Sequence, residues 1–424
     1  MKKSVYCLFV LWLFVAAGTM DAQEKYHTNI NGKQIKTLQV KVAGNMTSVP
    51  CIPLGGNEQI EINFDGMGNG YLGYVYKIIH CNGDWTPSGL SPIEYMDGLQ
   101  GMTIDDFGNS FETSRIYSNY RLFLPNQDIQ FKISGNYALQ VYREDDPGNI
   151  MFTACFSIVE PLVDIQASVS GNTEIDTNLH HQQVNLDINT RELSPVNPET
   201  ELNVFVYQNN RPDNAAHVSE PTSIQGNRIS YTNNPSLIFP AGSEYRRMDF
   251  LSSHYNGLHV QETSVHKYQH YAILMPDYKR SNQVYQYDHD QNGRFIIRCD
   301  NCMDADTEAD YFIVHFTLIS DSLPGGDVHL NGGFLCNTLD KKSKMDYNAE
   351  KGQYEKSILL KQGNYDYQYL FVPTDGTTGK TDPLEGDYFQ TQNEYVIYVY
   401  HHPEGARYDR LVGVKKIKNA IPLF

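Results

Sequence analysis

The chain has 424 residues, a formal net charge of −17 and only 20% charged residues. This length is too great for one hydrophobic core and predicts two to four domains. The acidity argues against nucleic acid and anionic membrane surfaces as partners, and the modest charged fraction excludes a disordered, charge-rich chain. The 30 tyrosines are typical of β-strands and of polar recognition surfaces. We therefore expect a secreted all-β protein.

The N-terminal segment has the features of a secretory signal peptide. Lys2 and Lys3 supply the positive start, residues 5–17 are apolar, and Ala22-Gln23 provides a cleavage point. The apolar part is too short for a stable membrane anchor, and no later apolar run is long enough to span a bilayer. The sequence therefore predicts a leader over residues 1–22 and an exported mature protein with no membrane span.

Short strands separated by turn residues continue to the end of the chain. Glu58–Phe64 alternates polar and apolar side chains, as a half-buried strand does. Glu160-Pro161 is a predicted boundary, and the acidic stretch Cys299–Asp310, which lacks apolar periodicity, is a predicted linker. Regularly spaced strands of this kind are typical of β-sandwiches. We expect tandem immunoglobulin-like β-sandwich domains over residues 23–160, 161–303 and 304–424.

Two turns along this stretch are predicted to close β-hairpins. Asn292-Gly293 is expected to join residues 285–287 to residues 295–297. Gly363-Asn364 is expected to close a second, tyrosine-rich hairpin in the last domain. No helix longer than a few turns and no internal repeat are predicted.

The stretch Tyr71–Asn126 is the most distinctive part of the chain. A predicted strand leads into the turn His80–Trp85, and a second strand runs through Thr113–Pro125. Between them lies a long segment, Ser88–Ser110, rich in glycine and carboxylates. Because so long a loop is unusual inside a compact domain, we expect it to be functional.

Residues along nearly the whole chain match one family pattern in the same order. They are His80-Cys81-Asn82, Asp84-Trp85, Glu94-Tyr95, Gly98, Ser110, Thr113, Tyr117, Tyr120, Leu124-Pro125-Asn126, Ser134–Tyr137, Gln208-Asn209, Leu360–Gly363, Glu385-Gly386, Asn393–Tyr395 and Tyr408–Gly413. This set resembles the plug proteins of the type IX secretion system. The chain departs from the pattern at Leu99-Gln100-Gly101, where the family has a longer hydrophobic residue, which leaves the path of the loop open.

The resemblance implies a non-enzymatic protein, without cofactor or metal, that seals the periplasmic opening of an outer-membrane translocon barrel while no cargo passes. The implied partner is that barrel protein, at the inner face of the outer membrane, and we expect the isolated plug to be a monomer. The predicted partner-contact or loop-organising residues are His80, Asp84, Trp85, Glu94, Tyr95, Asp105, Asp106, Tyr117 and Tyr120.

The long loop has two interpretations from sequence. It is either a surface that contacts the barrel or a cover for the sheet edge of the first domain. In both, His80, Asp84 and Trp85 hold the loop in place: Asp84 caps the turn and Trp85 packs beneath the loop. The pairs His180-His181 and His401-His402 are expected at the surface, because neighbours on a strand point to opposite faces.

Two motifs resemble metal sites but fit simpler structures better. Asp288–Gly293 resembles the start of a calcium loop, yet the twelfth position is Cys299 instead of a carboxylate, so an Asn-Gly turn is favoured. Cys299 and Cys302 lack the second pair that zinc requires, so a structural disulfide or two unreactive thiols are expected. Six cysteines remain after removal of the leader, and the sequence does not select among their pairings.

Two other functions remain as alternatives to the plug. A carbohydrate-binding protein would need exposed aromatic platforms, and Trp85 is the one tryptophan that follows the leader. A hydrolase would need two acids at a set separation across a cleft, and nothing fixes the separation of Asp84, Glu94, Asp97 and their neighbours. No nucleophile, nucleotide-binding or metalloprotease motif is present, so no catalytic residue is predicted.

Overall fold

The computed structural model describes residues 24–68, 70–191 and 193–419. The predicted signal peptide, residues 1–22, lies outside this part of the chain. Within it, strands dominate and the α-helices are single turns, α1 (Pro92–Tyr95), α2 (Pro198–Glu201) and α3 (Ala305–Glu308). The sheets stack into three two-layer units, each with its own hydrophobic core. The predicted all-β fold of tandem β-sandwiches is therefore confirmed.

The strands of the first unit are β1 (Asn29–Ile30), β2 (Ile35–Val42), β3 (Cys51–Pro53), β4 (Ile60–Met67), β5 (Tyr74–Cys81), β6 (Met96–Asp97), β7 (Met102–Thr103), β8 (Phe107–Asn109), β9 (Tyr117–Leu124), β10 (Gln130–Phe131), β11 (Gly135–Arg143) and β12 (Asp146–Val159). One sheet has the order β1-β12-β11-β5-β7 and the other β2-β4-β9-β8. Ile60, Ile62 and Phe64 alternate along β4 and are fully buried between the sheets, as the two-residue period of a strand requires.

The next strands along the chain are β13 (Asp164–Ser170), β14 (His181–Asn189), β15 (Leu202–Gln208), β16 (Ala216–Val218), β17 (Ser223–Gln225), β18 (Arg228–Tyr231) and β19 (Ile238–Pro240). They are followed by β20 (Arg246–Phe250), β21 (Val260–His266), β22 (Gln269–Leu274), β23 (Asp277–Tyr278), β24 (Phe295–Ile297), β25 (Tyr311–Ile319), β26 (Gly326–Asn331), β27 (Asp346–Asn348), β28 (Gln353–Lys361), β29 (Gly363–Pro373), β30 (Glu394–His401) and β31 (Arg410–Lys418). Single 3-10 turns lie at Pro235–Leu237 and Gly333–Leu335.

The third unit is inserted into the second. The second unit packs the sheet β13-β14-β18-β17 against the sheet β16-β15-β30-β31. Strand β30 pairs with β15 from Leu202, opposite His401, to Gln208, opposite Tyr395. The third unit consists of β20 to β29, with the orders β20-β29-β24 and β21-β22-β25-β28-β27.

This pairing corrects the predicted boundary between residues 303 and 304. Strands β20 to β24, assigned from sequence to the middle domain, lie in the third unit, and β30 and β31 complete the second. The residues of a strand are enough to predict that it is a strand. Its pairing partner depends on which faces become buried together, and β30 is buried on both faces. A division that follows chain order therefore could not find the insertion.

Three local predictions are also wrong. Asn292 and Gly293 form a turn, but residues 285–287 are not a strand and β24 pairs with β29. Strands β28 and β29 lie in different sheets, so Gly363 turns a corner between layers and does not close a hairpin. The stretch Cys299–Asp310 is not a linker: it carries α3 and accepts a hydrogen bond at the Thr307 carbonyl from the backbone N–H of Phe111, at 2.9 Å.

The cysteines and the histidine pairs have defined surroundings. Cys299 and Cys302 form a disulfide, one of the two states left open by the sequence. The cysteines without a disulfide partner in the described chain are Cys51, Cys81, Cys155 and Cys336. His401 is buried and lies 3.1 Å from Glu201, so its predicted surface position is wrong.

Candidate functional site

His80 anchors the start of the long segment Ser88–Ser110. The ring is buried at the end of β5, with Nδ1 2.9 Å from the Ser88 hydroxyl and Nε2 3.2 Å from the Ser134 carbonyl. Burial lowers the pKa of His80 to about 4, so the ring is neutral at neutral pH. Nε2–H then donates to Ser134, which leaves Nδ1 to accept from Ser88.

The segment itself is folded onto the first unit. It contains α1 and the short strands β6, β7 and β8, which pair with β10, β5 and β9. The Gln100 side chain acts as an additional strand partner: its oxygen accepts from the Ile78 N–H at 2.8 Å and its nitrogen donates to the Ile78 carbonyl at 2.7 Å. Tyr95, which is buried, donates to the same carbonyl at 2.7 Å. Gln100, in the stretch Leu99-Gln100-Gly101, therefore ties the segment to β5.

Two large apolar side chains stand out from this ordered surface. Ile93 is 75% exposed and Leu99 73% exposed, and Asp97 between them pairs with Lys132 at 3.3 Å. Gly98 holds the turn at a φ of +130°, where a Cβ would lie 2.2 Å from the Asp128 carbonyl oxygen. We call these two exposed side chains the apolar patch of the loop; beside them, Lys132 pairs with Asp97 and also donates to the Ile93 carbonyl at 3.0 Å.

Glu94 joins the loop to the second unit. Its carboxylate accepts from the backbone N–H and the hydroxyl of Ser91, which forms a capping box at the start of α1. It also meets Arg407, in the connection between β30 and β31, at 2.6 Å. The bonds from Ser91, followed by Arg407, lower the pKa of Glu94 to about 2.

Asp84 and Trp85 shape the turn after β5. Asp84 accepts from the Thr86 N–H at 3.0 Å and the Thr86 hydroxyl at 2.6 Å, which agrees with its predicted role as a cap of this turn. Trp85 differs from the expectation, because its indole N–H donates to the Tyr207 hydroxyl of the second unit at 3.2 Å. Trp85 is therefore a contact between units.

The remaining predicted residues lie in other places. Tyr117 is buried and donates to the Ala309 carbonyl of the third unit at 2.8 Å. Tyr120 belongs to the core of the first unit, where its ring stacks on Phe64. Asp105 accepts hydrogen bonds from the hydroxyl groups of Tyr71 and Thr103, and Asp106 forms an ion pair with Arg121. The nine predicted residues therefore do not converge on one cleft.

Two comparisons with known proteins found similarity to this chain. The model for the Type 9 secretion system plug protein 1st domain matches residues 35–160. The crystal structure of a hypothetical protein from Parabacteroides merdae ATCC 43184 shares 63% sequence identity, covers 94% of this chain and 100% of its own, and has a TM-score of 0.92. The chain belongs to the type 9 secretion system plug protein family. None of the curated proteins matches it.

Sequence reasoning missed the residues that join the units of this plug-family protein. Lys361 of β28 meets Asp65 of β4 at 2.8 Å, and the Tyr311 hydroxyl donates to the same carboxylate at 2.6 Å. Between the first and second units, Asp409 accepts from the Gly83 N–H at 2.8 Å. A lysine at the end of an otherwise apolar strand, as in Leu359-Leu360-Lys361, is a sequence feature that could have predicted the contact between the third and first units.

The geometry gives no support to the two alternative functions of this plug-family protein. Trp85 is half-buried against Tyr207 and is not an open platform for a sugar ring. Asp84 and Glu94 are each occupied by separate structural bonds. In the described chain no group of three or more His, Cys, Asp or Glu side chains is placed to hold a metal. None of its described helices is long and apolar enough to cross a membrane.

Proposed function

We propose that this protein is the non-enzymatic plug that closes the periplasmic opening of the type IX translocon barrel while no cargo passes. The observation that carries the proposal is the direct bonding between all three sandwiches of a chain that belongs to the plug family. A wide channel stays closed to small solutes only if the body that covers it does not bend under thermal motion. We place the protein in the periplasm, at the inner face of the outer membrane, as a monomer when isolated.

Each pair of units shares charged or hydrogen-bonded contacts with low exposure. The first and third units meet through Lys361 and Asp65, which are 1% and 0% exposed. The second and third meet through Arg294 and Glu394, which are also largely buried. Units in one chain normally move relative to one another unless such contacts restrain them. These contacts support a rigid, three-part body.

The exposed patch of the long loop supports a contact with the barrel. Ile93 and Leu99 offer apolar area, and Asp97 and Lys132 beside them keep the surroundings polar. Interfaces that must form and release combine a small apolar centre with a polar, hydrated rim. We propose that this patch meets the rim of the translocon barrel.

Affinity isolation of the tagged protein from outer-membrane extracts tests the partner. Wild type is expected to recover a very large barrel protein. The double variant Ile93→Ser/Leu99→Ser is expected to lose most of it, because the apolar centre is removed without a change in charge. A control, Val196→Ser/Val284→Ser, removes two apolar side chains outside the loop that are even more exposed, at 93% and 87%, and is expected to keep the barrel. Failure of wild type to recover any barrel would contradict the proposal.

Permeability of the cell envelope tests the sealing itself. Deletion of the gene is expected to admit large antibiotics that the outer membrane normally excludes, provided that the channel is still made. Complementation with wild type restores exclusion, and the Ile93→Ser/Leu99→Ser variant is expected to restore it poorly. Unchanged permeability in the deletion strain, with the barrel present, would count against a plug.

A further inference from the structure

A large cleft opens where the three units meet. Its volume is about 1370 Å³, and it is lined by β2 and the preceding arm of the first unit, by β15 and β30 of the second, and by β28 and residues 333–342 of the third. Clefts between domains are common places for ligands. Of the nine residues predicted from the sequence, two line this cleft, Asp84 and Trp85.

The lining of this cleft is basic, although the protein as a whole carries a net charge of −17. Eight lysine or arginine residues line it, against three aspartates. Four of the cations are paired, with Asp84, Glu61, Glu394 and Asp65. The other four are Lys33, Lys36, Lys342 and Lys356, and no carboxylate in the described chain lies within ion-pair distance of them.

These four lysines leave an excess of positive charge in the cleft, because the remaining carboxylate of the lining is Asp340, which accepts from the backbone N–H groups of Lys342 and Ser343. The ammonium groups of Lys36, Lys342 and Lys356 donate to backbone carbonyl oxygens. Burial, with the charges of Lys342 and Arg115, lowers the pKa of Lys36. Lys36 and Lys342 therefore repel each other, and an anionic ligand in the cleft would relieve that repulsion.

Two strand edges border the same cleft. Residues 35–41 of β2 and residues 356–361 of β28 line it as unbroken runs. Because successive side chains of a strand point to opposite faces, an unbroken run indicates that the edge of the strand, and not one face, borders the space. Strand β2 pairs only with β4, and beyond Glu355 strand β28 pairs only with β25, among the residues that the structure describes.

Part of the lining of the cleft is aromatic. Tyr207, Tyr398 and Tyr400 of the second unit line it, together with Phe334 of the third. Such rings provide apolar contact area with a polar tip for hydrogen bonding. The cleft thus combines an unpaired strand edge, unpaired lysines and aromatic rings, which are the three features that an extended peptide with acidic side chains uses.

We infer that the cleft binds an extended, acidic segment of a partner protein. The segment adds as a strand to the free edge of β2 or β28, places carboxylates on Lys33, Lys36, Lys342 and Lys356, and packs intervening side chains on the tyrosines. This inference goes beyond the proposed sealing function and does not depend on it, because it concerns the isolated protein. The competing explanation is that the lysines only protect two exposed edges from pairing with other chains.

Fluorescence anisotropy with a labelled ten-residue peptide of alternating glutamate and valine tests the inference on the mature protein. Saturable binding is expected, with none for the same peptide carrying lysine in place of glutamate. The variant Lys33→Gln/Lys342→Gln/Lys356→Gln is expected to bind about tenfold more weakly, as the loss of three exposed ion pairs predicts. The control Lys267→Gln/Lys415→Gln/Lys418→Gln removes the same charge from exposed positions outside the cleft and is expected to bind within about twofold of wild type.

Two further arms separate a strand-pairing site from a general anion site. A glutamate–valine peptide that is N-methylated at alternate residues cannot pair with an edge and is expected not to bind. Equal binding of the methylated peptide, or full competition by tripolyphosphate at matched charge, would overturn the inference in favour of a small anion. Absence of peptide binding together with self-association of the cleft variant would overturn it in favour of edge protection. Loss of barrel recovery in the experiment above would leave these outcomes unchanged.

Discussion

Lys361 and Asp65 form an ion pair across the joint between the third and first units, with Nζ 2.8 Å from Oδ2. Each charged group has a further hydrogen bond: Lys361 also donates to the Asp306 carbonyl at 2.6 Å, and Asp65 also accepts from Tyr311 at 2.6 Å. The ammonium lies 4.1 Å from the centre of the Tyr117 ring, within cation–π distance. Because an unpaired buried charge is costly, this cluster favours one arrangement of the two units.

Replacement Lys361→Met is expected to destabilise the protein strongly. The aliphatic part of the side chain is kept, but Asp65 is left buried without its counter-charge. Removing one partner of a buried pair costs roughly 3–5 kcal/mol. Urea unfolding of the protein without residues 1–22, followed by circular dichroism, measures the change in the free energy of unfolding.

An exposed ion pair between the turn before β28 and the strand itself provides the control. Lys351 meets Glu355 at 3.0 Å, and the lysine side chain is 61% exposed. Lys351→Met is expected to change the free energy of unfolding by about 0–1 kcal/mol, because solvent screens such pairs. Equal effects of Lys351→Met and Lys361→Met would show that the buried pair does not hold the joint.

Buried carboxyls in the third unit are expected to make stability fall as the pH rises. Burial, together with the neighbouring Asp290, raises the pKa of Asp366 to about 7, against about 3.9 in an unfolded chain. The folded state therefore keeps a proton that the unfolded state has released, so this contribution is fully present below about pH 4 and is lost as the pH rises through 7. Burial lowers the pKa of His80 to about 4, which gives the opposite slope below pH 6.5, so the effect of Asp366 must be isolated by a variant.

The variant Asp366→Asn isolates the contribution of Asp366 to the pH dependence of stability, because the amide stays neutral at every pH. The variant is expected to match wild type near pH 4.5 and to exceed it at pH 8 by roughly 1–3 kcal/mol. Urea midpoints at the two pH values measure the difference. The exposed substitution Asp382→Asn is the control and is expected to leave the wild-type slope unchanged. A pH-independent difference between Asp366→Asn and wild type would refute the assignment.

Local patterns in the sequence predicted the strands but not their partners. The alternation along Glu58–Phe64 predicted β4 because the period of a half-buried strand is written in its own residues. The joining of β15 to β30 could not be predicted in this way, because the third unit separates them in the chain and the pattern within each strand does not specify its partner. Pairing over such distances depends on which faces are buried together, which a single sequence does not record.

For the candidate site as well, the sequence could predict local contacts but not contacts between units. The capping bond of Asp84 to Thr86 is local and follows from the turn sequence. The bond of Trp85 to Tyr207 and that of Glu94 to Arg407 cross from one unit to another. These contacts exist only after the second unit has assembled, so residue type and spacing could not assign them.

Gly135→Ala is expected to destabilise the first unit through His80. Gly135 has a φ of +141°, and an added Cβ would lie 2.3 Å from His80 Nε2. Overpacking and the unfavourable φ together predict a loss of roughly 2–4 kcal/mol. Gly148→Ala, where nothing lies within 4 Å, is the control and is expected to change stability by about 0.5 kcal/mol or less. In a His80→Ala background the penalty at Gly135 is expected to shrink, and an undiminished penalty would show that the ring is not the obstacle.

Trp85 offers a direct measurement of whether the units unfold together. It is the one tryptophan of the chain outside the predicted leader, and its indole donates to Tyr207 across the joint between the first and second units. If the joints make one rigid body, the urea transition followed by Trp85 fluorescence coincides with that followed by circular dichroism. In Lys361→Met, which loosens the third unit but leaves the Trp85 joint intact, the two transitions are expected to separate, with circular dichroism changing first. Separate transitions in wild type would mean that the units unfold independently and that rigidity cannot be the basis of a seal.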